Sequence, residues 1–180
     1  MVPSMLNARH ANTTMIALAS LLLLPTLACN TSDGPCDLGP GDRFSAKVIE
    51  VVVGGDNNTH RSPQGAEGAA NCETDPDSFV SLGGGHIVFD IGCHYQTEPG
   101  PEMIVFEAAG ACHGISEEYN VSVSSNNMDY TPIGKGFGDT SFDVVQVQEF
   151  RYVRIQDDLS NSSSDSPGAD IDALALLHAK

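Results

Sequence analysis

Tryptophan is absent from this 180-residue chain, and bases are scarce: eight Lys/Arg stand against 24 Asp/Glu, a net charge of −16. A field of that sign repels phosphate backbones and anionic headgroups, which excludes nucleic acid as a partner and membrane contact through a basic surface. No Gly-x-Ser-x-Gly elbow, His-Glu-x-x-His pair or Walker loop occurs, and no cysteine has a catalytic context. Long apolar runs are equally few. There is one, Met15 to Leu27, interrupted by Ser20, Pro25 and Thr26. No 3.6-residue apolar period persists over a useful length, which excludes an architecture of amphipathic helices.

The apolar run follows a segment whose only formal charge is Arg9, is too short to cross a bilayer comfortably, and ends at Ala28-Cys29. A weakly basic start, a short apolar stretch and a small residue before the cut describe a cleaved export signal. Cysteine directly after the small residue resembles a bacterial lipoprotein signal, whose thiol becomes the diacylglycerol anchor. Thr26 stands where that signal prefers Leu. An ordinary secretory signal beside a structural cysteine is the alternative. The organisation expected is therefore a signal peptide over 1–28, a lipid-anchored tether over 29–42 and one domain over 43–180. The tether is rich in Gly, Pro and Asp and has no periodicity. Cleavage leaves 152 residues, enough for a core, and removes Arg9 to give −17. The multiple acyl chains of such an anchor hold stably, so membrane contact is expected through lipid alone. Asn30, rather than the Asp associated with inner-membrane retention, points to an outer-membrane lipoprotein, periplasmic or surface-exposed.

With Cys29 assigned to lipid, four of the five cysteines remain: Cys36, Cys72, Cys93 and Cys112. An even set in an exported chain reads as two disulfides, with three connectivities open. Cys93–Cys112 and Cys36–Cys72 are favoured, the first tying HIVFDIGC to MIVFEAAGAC as neighbouring strands. His94 and His113 each follow a cysteine, so the reduced side chains would make a Cys₂His₂ set. Oxidation is the expectation outside the cytoplasm.

Short alternating or β-branched runs separated by turn residues fill the rest. They are 44–53, 78–82, 86–91, 103–107, 120–124, 128–133, 142–147, 151–156 and 172–177. They predict an all-β sandwich of about eight antiparallel strands. The polar stretch 54–77 is a long loop for a compact domain, and Cys72 lies within it as a staple.

Four segments in order, Val80 to Ile91, Glu98 to Glu107, Tyr119 to Gly134, and Arg151 to Asp157 with Gly168 to Leu176, resemble a family of bacterial cell-surface proteins and lipoproteins. That family is built on a galactose-binding-like, discoidin-like (F5/8 type C-like) jelly roll. Its second segment usually reads Asp-Gly-Pro-Gly-x-Asp before Val-Phe-Glu, where this chain has Glu98-Pro99-Gly100-Pro101-Glu102. The acidic character survives while the turn chemistry changes, since Gly permits positive φ and Pro fixes φ.

The resemblance implies a non-catalytic recognition module for a glycan or an envelope or extracellular protein, with a structural Ca²⁺. Hard cations want several oxygens from carboxylates and loop carbonyls, so Glu98, Glu102, Asp170 and Asp172 are the metal candidates. Asp172 stands where last-strand acids of galactose-binding-like modules reach calcium. Sugar faces stack on aromatic rings. Tyr95 and Tyr130, in or beside predicted loops, are the candidates for that, with Arg151, Gln146 and Arg154 as polar strand residues. Arg154 is expected to pair with a carboxylate, and Tyr119 and Tyr152 to lie in the core. Two rivals stand beside this reading. A structural envelope component needs no concave polar pocket, and a small carbohydrate-active hydrolase needs two carboxylates about 5–10 Å apart in a cleft.

Overall fold

Nine strands form among the described residues of the computed structural model. These residues are 34–36, 39, 42–55, 58–71, 77–108, 116–157 and 168–177, all within the unit Thr31–Lys180. They are β1 (Lys47–Val52), β2 (Val80–Ser81), β3 (His86–Gln96), β4 (Met103–Glu107), β5 (Glu118–Ser124), β6 (Thr131–Phe137), β7 (Thr140–Phe142), β8 (Glu149–Asp157) and β9 (Asp170–Leu176). Two sheets, of order β1-β3-β8-β5-β6 and β2-β9-β4-β7, pair antiparallel throughout and make a jelly-roll sandwich. The all-β sandwich read from the alternation is the fold found.

Period-2 patterning explains which side chains meet between the sheets. The larger sheet turns Ile87, Phe89, Ile91, Tyr119, Val121, Val153 and Ile155 inward. The smaller contributes Val80, Met103, Val105, Phe142, Ile171, Leu174 and Leu176. β3 runs five residues past the expected Ile91 because the chain bulges between Asp90 and Tyr95. Gly92 supplies the positive φ (86°) at that bulge, so Cys93 and Tyr95 resume the inward face. At the turn before β3, a Cβ on Gly85 would stand 1.7 Å from the Val52 carbonyl oxygen, so glycine is required there.

Three expectations about the chain path are corrected. β6 begins at Thr131, not at Met128, because the Asn126 side-chain oxygen takes the amides of Met128 and Asp129 (2.9 and 3.0 Å) into a turn. A strand over 142–147 does not form: β7 ends at Phe142, and the amide of Val144 goes to the Glu102 carboxylate at 2.6 Å instead of a ladder. β3 and β4 are not neighbours but lie in opposite sheets.

That last point overturns the favoured disulfides. Cys93 bonds Cys36, with Cα atoms 5.1 Å apart. The N-terminal segment lies parallel to β3, Cys36 N–H donating to the His94 carbonyl and His94 N–H to that of Gly34, each at 3.0 Å. This register sets the two thiols face to face, whereas a strand in the other sheet offers Cys93 no such approach. Cys72 and Cys112 lie outside the described residues, as does Cys29.

Polar staples also hold the described residues around Asn58 and His60 to the start of β2. Asn58 donates to the Gly54 and Ser81 carbonyls (3.3 and 2.7 Å) and accepts from His60 N–H, whose ring stacks on Phe79 at 4.0 Å.

Candidate functional site

The outer face of the five-stranded sheet carries a cleft of about 450 Å³, lined by residues of β5, β6 and β8 and by the β5–β6 turn. Cross-strand register builds it: Asn120 stands opposite both Gln156 and Lys135, and Ser122 opposite Arg154 and Pro132. These are the out-facing partners of the core positions Val121 and Ile155, so the alternation that fills the core also makes the cleft polar. β6 is an edge strand, which is where Pro132 is tolerated.

Tyr130 closes one side. Its turn is wired by Asn126, which accepts from Ser124 Oγ and donates from Nδ2 to Asp129 (both 3.0 Å), with Asn127 at φ 60°. The Tyr130 hydroxyl donates to Asn127 Oδ1, and its ring lies 4.3 Å from the Arg154 guanidinium carbon. Burial pushes the phenol pKa up, with Arg154 opposing, so at neutral pH the ring is an uncharged platform. Arg154 was expected to pair with a carboxylate, and among the described residues it pairs with none. Among the described residues it stacks under Tyr130, and its buried Nε has no hydrogen-bond partner. No Asp or Glu among the described residues lines the cleft.

The other predicted ligand residues lie elsewhere. Tyr95 is 3% exposed and packs on Phe150 at 5.4 Å, because the longer β3 carries it into the core. Arg151 is committed to Asp90 by a fork, Nε to Oδ1 at 2.8 Å and Nη2 to Oδ2 at 3.0 Å. Burial alone would raise the Asp90 pKa, but these bonds and the Gly92 amide hold it below its ordinary value. Gln146 is exposed, Tyr119 is fully buried, and Tyr152 is half-buried beneath Arg151. His94 faces Glu149 at 3.4 Å, and His113 lies outside the described residues. Cys93, being oxidised, cannot serve as a thiolate ligand in a Cys₂His₂ site.

The four metal candidates separate into two places. Glu102 is fully buried and both its oxygens are spent, accepting the amides of Glu98 (2.8 Å) and Val144 (2.6 Å). It adjoins Met103, which pairs with Leu176 at the far end of β9 from Asp170, about 20 Å along the strand at ~3.3 Å per residue. One ion cannot take all four. Asp172 reaches the β1–β2 connection as an acceptor from Asn71 N–H at 3.0 Å. As they stand, no three His, Cys, Asp or Glu side chains among the described residues converge to hold a metal ion.

Asp170 belongs to a corner that sequence reasoning missed. Glu107, 1% exposed, closes β4 and accepts from Glu117 N–H (3.2 and 3.4 Å) and from the Asp170 amide. Asp157, 2% exposed, accepts from Gly84 N–H at 2.9 Å. Burial, then repulsion from Glu117 and Asp170, pushes the Glu107 pKa up to about 7. Burial, then Asp170 and Asp157, takes Glu117 to about 7 as well. Asp157 and Asp170 sit inside the segments that carried the family resemblance, but only the sheet register brings them to Glu107 and Glu117.

No family model matches the chain, and no curated protein does. Solved structures do. The C-terminal domain of a chitobiase from Bacteroides fragilis is 12% identical, with 76% of this chain and 95% of that one covered at a TM-score of 0.50. A Ruminococcus gnavus GH29 fucosidase in complex with fucose is 16% identical over 75% of this chain and 25% of that one, TM-score 0.48. CpGH89CBM32-6 from Clostridium perfringens is 13% identical over 79% and 98%, TM-score 0.47. Of these three, the chitobiase domain is the one whose likeness bears on the fold, and it bears on the fold alone.

Proposed function

We propose that this chain is a non-catalytic recognition module that binds a glycan in the cleft of β5, β6 and β8. The observation that carries the reading is the cleft itself. It is concave, in the size range of small-ligand sites, and set with Asn, Ser, Gln, Lys and Arg around a fixed tyrosine. Amide and hydroxyl groups match sugar hydroxyls as donors and acceptors. The polar concavity favours recognition over a purely structural role. A lining without carboxylates gives no acid–base pair for glycoside hydrolysis. A glycan array with the mature domain tests the proposal. Binding that Tyr130→Ala weakens and Val145→Ala does not is the expected result, and no binding to any saccharide would overturn it.

The module is proposed to work at the cell envelope, held through Cys29 as an outer-membrane lipoprotein. The support is the apolar run closed by Ala28-Cys29. Detergent partitioning of Cys29→Ala tests it, and a variant still found in the membrane fraction would sink the anchor. A structural Ca²⁺ is proposed around Asp170, one of the four acids first considered, where it would have to draw Glu107, Glu117 and Asp157 together, since these do not converge on a metal site as they stand. Its support is the mutual repulsion that a divalent cation would relieve.

A further inference from the structure

We infer that the cleft selects an acidic saccharide, one bearing a carboxylate or a sulfate, with Arg154 as the group that meets the anion. This inference rests on the glycan-recognition reading above and names its ligand class.

The argument starts from scarcity. Eight Lys/Arg serve the whole chain against 24 acids, yet two of them, Lys135 and Arg154, line one cleft that no acid among the described residues lines. In a protein of net charge −16, a chance patch would be acidic. Glu50 on β1, whose charge is felt at Tyr130, is engaged by His86 Nε2 at 3.2 Å and does not line the cleft.

Arg154 is also built as a receptor. Its guanidinium is held against the Tyr130 ring at 4.3 Å, and the hydroxyl of that ring is tied to Asn127. The fork is thus fixed in a plane before any ligand arrives. A planar, oriented guanidinium matches a carboxylate or sulfate by two parallel N–H···O bonds, which an ammonium cannot do. Its Nε is buried with no partner among the described residues. Three residues earlier on β8, Arg151 shows the alternative, the same fork filled by the protein's own Asp90. Arg154 has the donors and, among the described residues, no anion to fill them. Ser122 and Gln156 line the same cleft and offer groups that match the neutral hydroxyls of the sugar.

The rest of the molecule limits the ligand's charge. The acids elsewhere repel any long polyanion, so the match is a saccharide with one or a few charges at the cleft rather than a densely charged polymer lying across the domain.

The test is calorimetry on the mature chain with three sets of probes. These are galacturonic or glucuronic acid oligosaccharides, a singly sulfated galactoside, and the neutral counterparts of each. The expected result is that an acidic probe binds about tenfold or more tighter than its neutral counterpart, that Arg154→Gln removes the difference, and that added salt shrinks it. The carboxylate and sulfate arms tell the two anions apart. Lys135→Gln, at the rim, is expected to reduce acidic binding less. Arg154→Lys, which keeps charge and loses the fork, is expected to recover part of it. Arg151→Gln should leave the selectivity unchanged. Neutral and acidic probes bound equally, or acidic binding untouched by Arg154→Gln, would overturn the inference while leaving glycan recognition standing. No binding of any saccharide would overturn both.

Discussion

Gln156 and Asp157 are consecutive on β8 and belong to opposite environments. Gln156 faces outward into a cleft where Arg154 and Lys135 have no acid in the lining. Asp157 faces inward and is 2% exposed, at a corner where Glu107, Glu117 and Asp170 crowd together. One region is short of anions and the other has too many. The cleft leaves a cation ready for a partner at little cost, because an arginine stacked on tyrosine at a half-buried position keeps much of its solvation. The corner pays more heavily: its acids are buried, they repel, and two of them hold protons near neutral pH. Charge imbalance at a surface prepares binding, while the same imbalance in a buried corner makes stability depend on pH.

The largest effect tests whether the two regions stand on one cooperative core. Replacing Cys36 and Cys93 by Ala opens a loop with a sequence separation of 57. The expected loss is about 4 kcal/mol on the chain-entropy model. Thermal unfolding followed by tyrosine fluorescence and by far-UV circular dichroism should shift together. Two separate transitions would mean that cleft and corner are independent.

The next effect belongs to the corner alone. Glu107 and Glu117 titrate near 4.5 in the unfolded chain and near 7 in the fold. Between those values the folded state holds more protons, so stability falls as pH rises through that window. After allowing for screening of the partly exposed Glu117, the change is about 2 kcal/mol, or ~4–8 °C in Tm, between pH 5 and pH 8. Glu107→Gln should flatten the profile and raise Tm at pH 8. A profile as steep as the parent's would assign the slope to general repulsion among the surface acids.

Smaller still is the contrast between the two arginines. Arg151→Gln leaves Asp90 part-buried without its fork and should cost about 1.5 kcal/mol. Arg154→Gln should stay within ~0.5 kcal/mol, since no anion among the described residues depends on it. Equal losses in chemical denaturation would erase the distinction between a structural and a receptive arginine. The smallest effect is expected from calcium: at a few times Kd, Ca²⁺ should add about 1 kcal/mol, with Mg²⁺ adding less and Asp170→Asn abolishing the difference. Identical shifts with both ions would reduce the corner to a pH-sensitive cluster.

How far the residues spoke for themselves varies along the chain. MIVFE at 103–107 became β4 with the bounds expected, because a short, continuous apolar run between two turn signals is too short for a helix and fits a strand buried in a sheet. Tyr95 was misplaced because a bulge at Gly92 prolongs β3, and a bulge depends on the partner strand. Tyr130 was legible as a turn aromatic. Arg154 was seen as a strand arginine but given the wrong partner, since neither its distance to a carboxylate nor its stacking on Tyr130 is written in β8.

The sequence by itself determined the all-β class, the in–out alternation that divides each strand between core and solvent, and the acidic balance that rules out polyanionic partners. These follow from nearest-neighbour periodicity and from summed charge, which need no coordinates. Tertiary structure alone decided that Cys36 meets Cys93, that Glu102 is spent on backbone amides far from Asp170, and that four acids from β4, β8, β9 and the segment before β5 share one corner. Each of these depends on which strands become neighbours and in what register, a long-range choice made by the packing of two whole sheets.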